Sequence, residues 1–425
     1  MIAWLLISFF VLLFLGVPIA MSLGLSAMGG ILFLGGGSTV TIAQRMFEGM
    51  NSFALLAIPL YTFAGFTMSK GGISKRLMDF CYSIVGHIYG GLAHVNVLSS
   101  MIFAGISGSA VADTAGVSGM FMPEMIRKGY SKNFTVAVTA ISSTIGIIIP
   151  PSIPMVVIAG ICGISTGKLF LGGIIPGILC GLAQMIVSYF LAKKEGVPKE
   201  PGHFTIGPVL HGLWESWPAL LMPIIIVGTI TMGIVSPTEA GVIAVVYGLF
   251  AGGLIYRELK WEDIKFAFAE TVRTSGRIFI VIGAAKLYTV MLTTAGFDKW
   301  VAKTMLGFST NPTVILIMIL LIFFIVTMFM ESIATLTLFM PILYPIALGV
   351  GINPIVLSVL ITVVIGIGLV TPPVGMCIYV ACDLMDTTVG EVFPTLVPFI
   401  AATFVCIALM VAFPQLILLP TYLMA

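Results

Sequence analysis

Long runs of hydrophobic positions, separated by short polar segments, extend along the whole chain. Most runs reach the roughly 20 residues that an α-helix needs to cross a membrane. We predict spans over residues 2–34, 51–69, 134–166, 169–192, 213–235, 239–256, 278–295, 355–382 and 392–419. Residues 77–89 and 261–274 are amphipathic and more polar, which is typical of helices that lie along the membrane interface. The pattern predicts an all-α polytopic membrane protein.

Composition agrees with this prediction and excludes several functions. Of the 425 residues, 59% are hydrophobic and 8% are charged, whereas about a quarter of the residues in a soluble domain are charged. The net charge of +2 comes without a basic tail, so no nucleic-acid partner is expected. The six cysteines are scattered, without the spacing of a zinc or redox pair. No Gly-rich loop ends in Gly-Lys-Ser/Thr, so ATP is not the expected energy source.

Two of the predicted spans contain the same interruption. The sequence Ile-Gly-Ile-Ile-Ile-Pro-Pro at 145–151 returns as Ile-Gly-Leu-Val-Thr-Pro-Pro at 367–373. Proline lacks an N–H donor and clashes with the preceding turn, so each helix must break there. At membrane depth, freed backbone groups are tolerated only where they face protein or a wet cavity. Two related breaks therefore indicate a binding site of a transporter.

Two further segments, 92–126 and 313–348, are apolar at both ends and polar in the middle. Their centres read Gly-Ile-Ser-Gly-Ser at 105–109 and Glu-Ser-Ile-Ala-Thr at 331–335. Two half-length helices that meet at a polar tip fit each segment better than one spanning helix. We predict two re-entrant hairpins.

The breaks belong to an internal repeat. Other short matches follow the same order at offsets of 227, 218 and 219 residues, against 222 for the Pro-Pro phrase. They pair Leu60-Tyr61-Thr62 with Leu287-Tyr288-Thr289, Met122-Pro123 with Met340-Pro341, and Pro18 and Ala20 with Pro237 and Ala240. Five predicted crossings separate Pro18 from Pro237, and an odd number predicts inverted repeats.

We predict five regions from these signals. Residues 1–70 form scaffold helices and an arm of the first repeat, and 71–195 form the first half of a transport domain with its hairpin and broken helix. Residues 196–212 are a polar linker. Residues 213–296 form the scaffold helices and arm of the second repeat, and 297–425 form the second half of the transport domain.

Positive charge predicts the orientation. One side of this arrangement holds fourteen Lys and Arg residues, the other holds four, and Lys286 lies inside a span. The rich side, predicted to be cytoplasmic, holds Lys70, Lys75, Arg76, Arg127, Lys128, Lys132, Lys193, Lys194, Lys199, Arg257, Lys260, Lys265, Arg273 and Arg277. The N-terminus is then cytoplasmic, the first hairpin opens from the cytoplasm and the second from outside, and the two tips meet beside the breaks.

The meeting point offers chemistry for an anion and a cation. Helix N-termini present N–H groups that attract a carboxylate, while unwound carbonyls and hydroxyls suit Na⁺. The first candidate group is Gly105, Ser107, Gly108, Ser109, Ser142, Gly146 and Ser152, and the second is Ser332, Ala334, Thr335, Gly366, Gly368 and Thr371. Asp113 and Glu331 are the carboxylates nearest the tips, and either cation binding or tip stability explains them. Lys286 pairs with a carboxylate, extends to the interface or contacts substrate.

Other functions have weaker support. The Gly-Ile-Ser-Gly tip suggests an intramembrane serine protease, but no histidine lies in a neighbouring span to act as its base. A channel does not require paired tips and inverted repeats. A stand-alone ion-coupled carboxylate carrier or antiporter of similar architecture stays open as an alternative.

Four segments together resemble a known family. The tip at 105–113, the breaks at 145–152 and 367–373, and Ser-Pro-Thr-Glu-Ala-Gly at 236–241 resemble the large membrane (M) subunit of TRAP (tripartite ATP-independent periplasmic) transporters, most of all the sialic acid branch. The resemblance covers nearly the whole chain. It implies an elevator-type secondary transporter of the ion transporter superfamily in the bacterial inner membrane, not an enzyme, which imports an organic acid such as sialic acid or a C4-dicarboxylate with Na⁺.

The resemblance also implies partners and residue roles. The partners are a small membrane subunit of about four helices and a periplasmic substrate-binding protein. The implied sodium ligands are Gly105, Ser107, Gly108, Asp113, Gly146, Glu331, Ser332, Thr335, Gly366, Gly368 and Thr371, with Glu331 at a second sodium site. The implied substrate ligands are Ser107, Ser109, Ser152 and Thr371, and no metal other than sodium is expected.

Overall fold

The computed structural model describes residues 1–34, 39–197 and 204–424. Within these ranges the chain forms α-helices with short 3-10 or π-helical turns, and no β-strand is present. The helices of the first half are α1 (Ile2–Phe14), α2 (Ile19–Leu34), α3 (Thr39–Met50), α4 (Ala57–Lys70), α5 (Ile73–Val85), α6 (Gly91–Ser107), α7 (Ala110–Arg127), α8 (Lys132–Ser143), α9 (Ile153–Cys162) and α10 (Thr166–Lys194). Those of the second half are α11 (Ile206–Thr231), α12 (Pro237–Phe250), α13 (Trp261–Thr294), α14 (Phe297–Phe308), α15 (Pro312–Thr327), α16 (Ser332–Gly349), α17 (Pro354–Gly368), α18 (Met376–Asp383), α19 (Val389–Ala412) and α20 (Gln415–Leu418).

The described ranges contain seven helical stretches that are long and apolar enough to cross a membrane. Five are the single helices α10, α11, α13, α16 and α19, and the other two are the continuous helical stretches 53–70 and 237–255. The predicted all-α polytopic membrane fold is confirmed.

The predicted single span over residues 2–34 is wrong. The chain turns at Gly16, whose φ of +81° favours glycine, and α2 folds back along α1. Trp4 Nε1 donates to Ser26 O at 3.3 Å, and Ser26 Oγ donates to Leu5 O at 2.9 Å. The turn removes the single span on which the cytoplasmic N-terminus was predicted, while the crossings counted from Pro18 to Pro237 do not involve α1. The side of the N-terminus stays a prediction.

The amphipathic segment 261–274 and the predicted span 278–295 form one continuous helix. Helix α13 has 34 residues, which corresponds to about 51 Å at 1.5 Å per residue. The change from polar to apolar composition does not end a helix, because no proline or cap interrupts the backbone between the two segments. In the first half, α3 and α4 are the separate counterparts of this helix.

Both hairpins and both breaks form where the sequence predicts them. Helices α6 and α7 meet at Gly108 and Ser109, and α15 and α16 meet at residues 328–331. The Pro-Pro pairs separate α8 from α9 and α17 from α18, and both Pro-Pro bonds are cis. The order of helices in the first half therefore returns in the second.

The repeated Leu-Tyr-Thr sequence connects helices that are distant in the chain. Tyr61, on α4, donates its hydroxyl to Pro237 O at 2.8 Å, and Tyr288, on α13, donates to Leu5 O at 2.9 Å. Both rings are buried. Helix α4 packs against α12 and α13 packs against α2, while α8 packs against α19 and α10 against α17. Each half is thus stabilised mainly by contacts with the other.

The predicted linker is only partly described. Residues 198–203 lie outside the described ranges, and α11 begins at Ile206, inside the range 196–212. The last predicted span, 392–419, is helical to Ala412 and is interrupted at Pro414. The five predicted regions stay a prediction.

Candidate functional site

The first hairpin tip is joined to the first break by a backbone hydrogen bond. Ile153, two residues after the proline pair, donates its N–H to Gly108 O at 3.2 Å. Gly108 has a φ of +65°, and a Cβ atom there would lie 2.6 Å from Pro151 O. Only glycine lets the tip approach the break this closely. The broken helix thereby gives an N–H group to the tip instead of leaving it unpaired.

The second tip and break repeat this arrangement. Val374, directly after the second proline pair, donates its N–H to Met328 O at 2.9 Å. A Cβ atom at Gly368 would lie 2.6 Å from Thr327 Cβ, so that break also packs closely on its hairpin. The two breaks are neighbours, since a Cβ atom at Gly366 would lie 3.3 Å from Thr144 Cβ. The structure therefore brings together both tips and both breaks, as the sequence predicts.

Asp113 is the one fully buried carboxylate of the described residues at this meeting point. It lies in the first turn of α7, with no exposed surface. Ser107 Oγ donates to its Oδ1 atom, while Oδ2 has no hydrogen-bond partner. Oδ2 faces Gly146 so closely that a Cβ atom there would collide with it. The sequence elements Ser107, Asp113 and Gly146 thus form a single buried group.

An unpaired carboxylate oxygen is costly at this depth. Burying a charged group without a partner costs several kcal/mol or more. No cationic side chain of the described residues is hydrogen-bonded or ion-paired with Asp113. The carbonyl groups of the 3-10 turn at 144–147 and the Ser107 hydroxyl supply the kind of oxygen atoms that hard cations prefer.

Glu331 has a different role from Asp113. It occupies the N-cap of α16, and its Oε2 atom accepts hydrogen bonds from Ile333 N at 3.0 Å and Ala334 N at 3.3 Å. These are two of the donors that a helix N-terminus leaves without intrahelical partners. Tip stability therefore accounts for this carboxylate, and its role at a second sodium site stays a prediction.

The predicted hydroxyls divide into two classes. The Ser152 hydroxyl bridges the two sides of the first break: its Oγ donates to Ile147 O at 2.5 Å and accepts from Met155 N at 3.3 Å. Ser109 caps α7 by accepting from Ala112 N at 3.4 Å. The hydroxyls of Ser142, Thr335 and Thr371 donate to carbonyls of the preceding helical turn, and Ser142 also donates to Asn96 Oδ1 on α6.

Gly105 faces helix α11. A Cβ atom at Gly105 would lie 2.5 Å from Pro223 Cγ, on α11, and 3.7 Å from Pro150 O. The small residue lets the first hairpin pack against α11 rather than opening a path for an ion. Its predicted role as a sodium ligand has no support from this contact and stays a prediction.

A cavity of about 550 Å³ opens between the two tips. One wall consists of the N-terminal turns of α7 and α16 together with parts of both breaks, and it includes Ser107, Gly108, Ser109, Glu331 and Ser332. The opposite wall comes from α4 and α13. Asp113, Gly146, Ser152, Thr335, Gly366, Gly368 and Thr371 do not line it. The tips thus face the cavity, and the predicted site residues of the two breaks lie behind this wall.

Comparison with known proteins decides the family. The family model described as "Tripartite ATP-independent periplasmic transporter, DctM component" matches residues 6–416. The chain belongs to this family. The predicted membership of the TRAP large permeases is confirmed, and the chain is a multi-pass membrane permease rather than an enzyme.

Relatives of this TRAP permease carry different substrates in their names. The sialic acid TRAP transporter large permease protein SiaM of Vibrio cholerae is 35% identical over 96% of this chain and 95% of its own. The C4-dicarboxylate permease DctM of Pseudomonas aeruginosa is 35% identical over 95% and 94%. The isethionate permease DctMQ of Oleidesulfovibrio alaskensis is 37% identical over 92% of this chain, which spans only 62% of that relative.

A solved structure with the same fold is much more distant. The Alcanivorax borkumensis YdaH transporter, described as having an unusual topology, superposes with a TM-score of 0.60 at 14% identity, over 87% of this permease and 86% of YdaH. At this identity the similarity concerns the fold alone.

The cavity wall formed by α4 and α13, called the scaffold wall below after the predicted role of these helices, is the part of the permease that the sequence analysis missed. From α13 it includes Phe266, Glu270, Thr274, Arg277 and Ile278, and from α4 it includes Phe66 and Lys70. The α13 residues follow a spacing of three to four and share one helical face. That periodicity was visible in the sequence, but nothing local indicated that the face lies opposite the hairpin tips.

Lys286 does not belong to this wall. Its Nζ lies 4.0 Å from Glu48 Oε1, on α3. Of the three roles that the sequence left open, pairing with a carboxylate is the one that the structure contains.

Proposed function

We propose that this chain is the large subunit of a TRAP secondary transporter that imports an organic acid together with Na⁺ across the bacterial inner membrane. It acts with a small membrane subunit and a periplasmic binding protein, as the family implies. The relatives named for sialic acid, C4-dicarboxylates and isethionate support an organic acid as the substrate class. The sialic acid branch remains our first choice within that class.

The observation that carries sodium coupling is the buried Asp113 group. Its Oδ2 atom lacks a partner and faces the backbone at Gly146, beside the Ser107 hydroxyl. A Na⁺ ion at this point would neutralise the Asp113 carboxylate and would be coordinated by backbone carbonyl oxygens of the turn at residues 144–147. Ordering the first tip in this way would prepare the N–H groups at the start of α7 for the acid. Sodium is thus a co-transported substrate that favours acid binding.

The second half supports a related but weaker ion site. Gly366, Gly368 and Thr371 belong to the second break, while Thr335 lies near the start of α16, which Glu331 caps. Carbonyl and hydroxyl oxygens without a free carboxylate bind sodium less strongly than a charged group does. We propose that the first site determines the sodium dependence and the second adjusts it.

Movement of the acid across the membrane would follow an elevator mechanism. The hairpins and broken helices pack against one another across the two halves. Helix α4 packs against α12 and α13, and α13 packs against α2, and these helices contact the hairpins where α13 meets α16 and α4 meets α6. A rigid group that moves past a scaffold carries its ligand from one side to the other without a continuous pore. The charge distribution supports a cytoplasmic opening of the cavity, because Lys70 and Arg277 belong to the positive-rich side.

Uptake into proteoliposomes tests this proposal. Labelled sialic acid, succinate and isethionate are offered with and without an inward Na⁺ gradient, with and without the small subunit and the binding protein. We expect that one of the acids is taken up, and that its uptake requires the Na⁺ gradient, the small subunit and the binding protein together. Uptake by the chain alone would instead support the stand-alone carrier, and uptake that ignores Na⁺ would contradict sodium coupling.

A further inference from the structure

The scaffold wall of the cavity carries an arginine that the sequence analysis did not assign to the site. We propose that Arg277 binds the acidic group of the transported substrate from the scaffold side, opposite the two hairpin tips. This inference rests on the proposed function only for the statement that the ligand is an organic acid. It adds a specificity-determining residue to a wall that was expected to act only as scaffold.

Arg277 is the cavity cation without a partner. It has no hydrogen bond, ion pair or ring contact within the described ranges, although it lines the cavity and is exposed there. The other cavity cation, Lys70, places its Nζ 4.8 Å from the centre of the Phe266 ring. The acidic Glu270 is already paired with Arg273 at 2.6 Å. One guanidinium therefore remains free to bind an anion.

The opposite wall complements this charge. The cavity is bounded there by residues 109–112 at the start of α7 and residues 331–333 at the start of α16. The start of α7 carries the partial positive charge of a helix N-terminus, which favours an anion, whereas at the start of α16 Glu331 already accepts from Ile333 N and Ala334 N. An acid in the space between would therefore meet Arg277 on one side and the start of α7 on the other, and 550 Å³ is within the range for small-molecule sites.

Guanidinium chemistry matches the expected class of ligand. The planar fork of arginine donates two parallel hydrogen bonds to a carboxylate, and a sulfonate offers oxygens at similar spacing. Lysine supplies the same charge without the fork. Substitution of Arg277 by lysine should therefore keep part of the affinity, whereas glutamine should lose the charge-assisted bonds.

The location of Arg277 makes the contact specific to one state. Arg277 belongs to α13, whereas the tips belong to the two hairpins, which α13 contacts through α16. If the tips move past α13, the acid leaves the arginine behind. Arg277 then acts on acid affinity from the side to which this cavity opens, and not from the other side.

A lipid phosphate presents similar oxygen chemistry to an exposed arginine, so the test must separate the two anions. The chain is purified with its small subunit and placed in nanodiscs with or without phosphatidylglycerol. Binding of labelled sialic acid, succinate and isethionate is measured by scintillation proximity. Neutral analogues, the methyl ester of sialic acid and succinamide, serve as competitors.

Three variants are compared with the wild type. We expect Arg277→Gln to weaken binding of the preferred acid about tenfold or more, and Arg277→Lys to lie between. Neutral competitors should bind equally to wild type and Arg277→Gln. The matched control is Lys265→Gln, which removes one positive charge from α13 outside the cavity and should leave acid binding unchanged.

The outcomes separate this inference from the proposed function. Equal acid binding by wild type and Arg277→Gln, no binding of any of the three acids, or an effect that appears only with phosphatidylglycerol would overturn the role of Arg277. Loss of acid binding in Arg277→Gln with uptake that ignores Na⁺ would support Arg277 and overturn sodium coupling. A second readout is exchange in proteoliposomes, where we expect the half-saturating concentration to rise on one side of the membrane only.

Discussion

The two tip-and-break regions share a backbone arrangement and differ in charge. In each, an N–H just after the proline pair is donated to a carbonyl of the facing hairpin, from Ile153 to Gly108 and from Val374 to Met328. In the first region a buried carboxylate faces the break. In the second, Gly368 packs against Thr327, and the nearby Glu331 caps a helix instead. The two repeats therefore share their backbone geometry, but their acidic side chains have different roles.

This difference indicates that the first region bears most of the ion chemistry. A fixed geometry at both breaks needs only prolines, glycines and short contacts, which sequence repetition preserves. A buried negative charge requires a cation or a proton, and only the first region holds one with an unpaired oxygen. The following substitutions test this division of roles.

The largest effect is expected for Asp113→Asn. Asparagine keeps the size and the hydrogen bond from Ser107 but removes the charge, so the half-saturating Na⁺ concentration for uptake should rise at least about tenfold. The matched control is Glu124→Gln, on the same helix, whose carboxylate forms a surface ion pair with Arg127 at 2.7 Å. Sodium dependence that stays the same in Asp113→Asn would mean that the carboxyl is neutral and structural.

A comparison of Gly146→Ala with Gly368→Ala tests whether both breaks are equally close-packed. The added methyl meets Asp113 Oδ2 in the first break and lies 2.6 Å from Thr327 Cβ in the second. Overpacking costs typically about 1–3 kcal/mol, so both variants should lose stability in thermal unfolding. Gly146→Ala should also raise the Na⁺ concentration needed for uptake, and should raise it more than Gly368→Ala does.

Gly119→Ala provides the control for this pair. It lies on α7, and a Cβ atom there meets no atom within 4 Å. Its stability and sodium dependence should match the wild type. An equal rise in the sodium requirement for Gly146→Ala and Gly368→Ala would contradict the asymmetry between the two regions.

A smaller effect is expected for Glu331, through stability rather than sodium. Glu331→Ala removes the acceptor for Ile333 N and Ala334 N, and loss of an N-cap typically costs about 0.5–2 kcal/mol. Glu331→Gln retains one acceptor oxygen and should lose less. Thermal unfolding checks the order, and a strong increase in the sodium requirement for Glu331→Gln would instead assign this carboxylate to an ion site.

Local sterics explain what the sequence could predict. A Pro-Pro pair and a Gly-Ser tip act on their own backbone, so the breaks and hairpins follow directly from the residues that form them. Asp113 and Gly146 could also be selected as candidates, because Asp113 is the carboxylate nearest the first tip and Gly146 lies in the first break. Their contact with each other depends on how α7 packs against α8, which no local pattern contains.

The errors have physical causes of the same kind. Gly16 and Pro18 are a weak signal within a long apolar run, and the turn between α1 and α2 depends on contacts such as that of Ser26 with Leu5. The continuity of α13 was hidden by a change of polarity that does not break a backbone. The sequence placed Arg277 only on the positively charged side predicted to be cytoplasmic. Its position opposite the tips results from packing between α4, α13 and the hairpins, which no local pattern contains.

The smallest effect is expected for Lys286→Gln, although a lone cation within a predicted span suggested a role in the site. Its Nζ lies 4.0 Å from Glu48 Oε1, and the two side chains are 40% and 51% exposed. The pKa of Glu48 is lowered, first by the hydrogen bond from Arg45 and then by Lys286, so the pair is present above the ordinary pKa of glutamate and is lost as the pH falls. Exposed pairs contribute little. Uptake, sodium dependence and melting temperature of Lys286→Gln should all match the wild type at neutral pH, and a loss of acid binding would return this lysine to the substrate site.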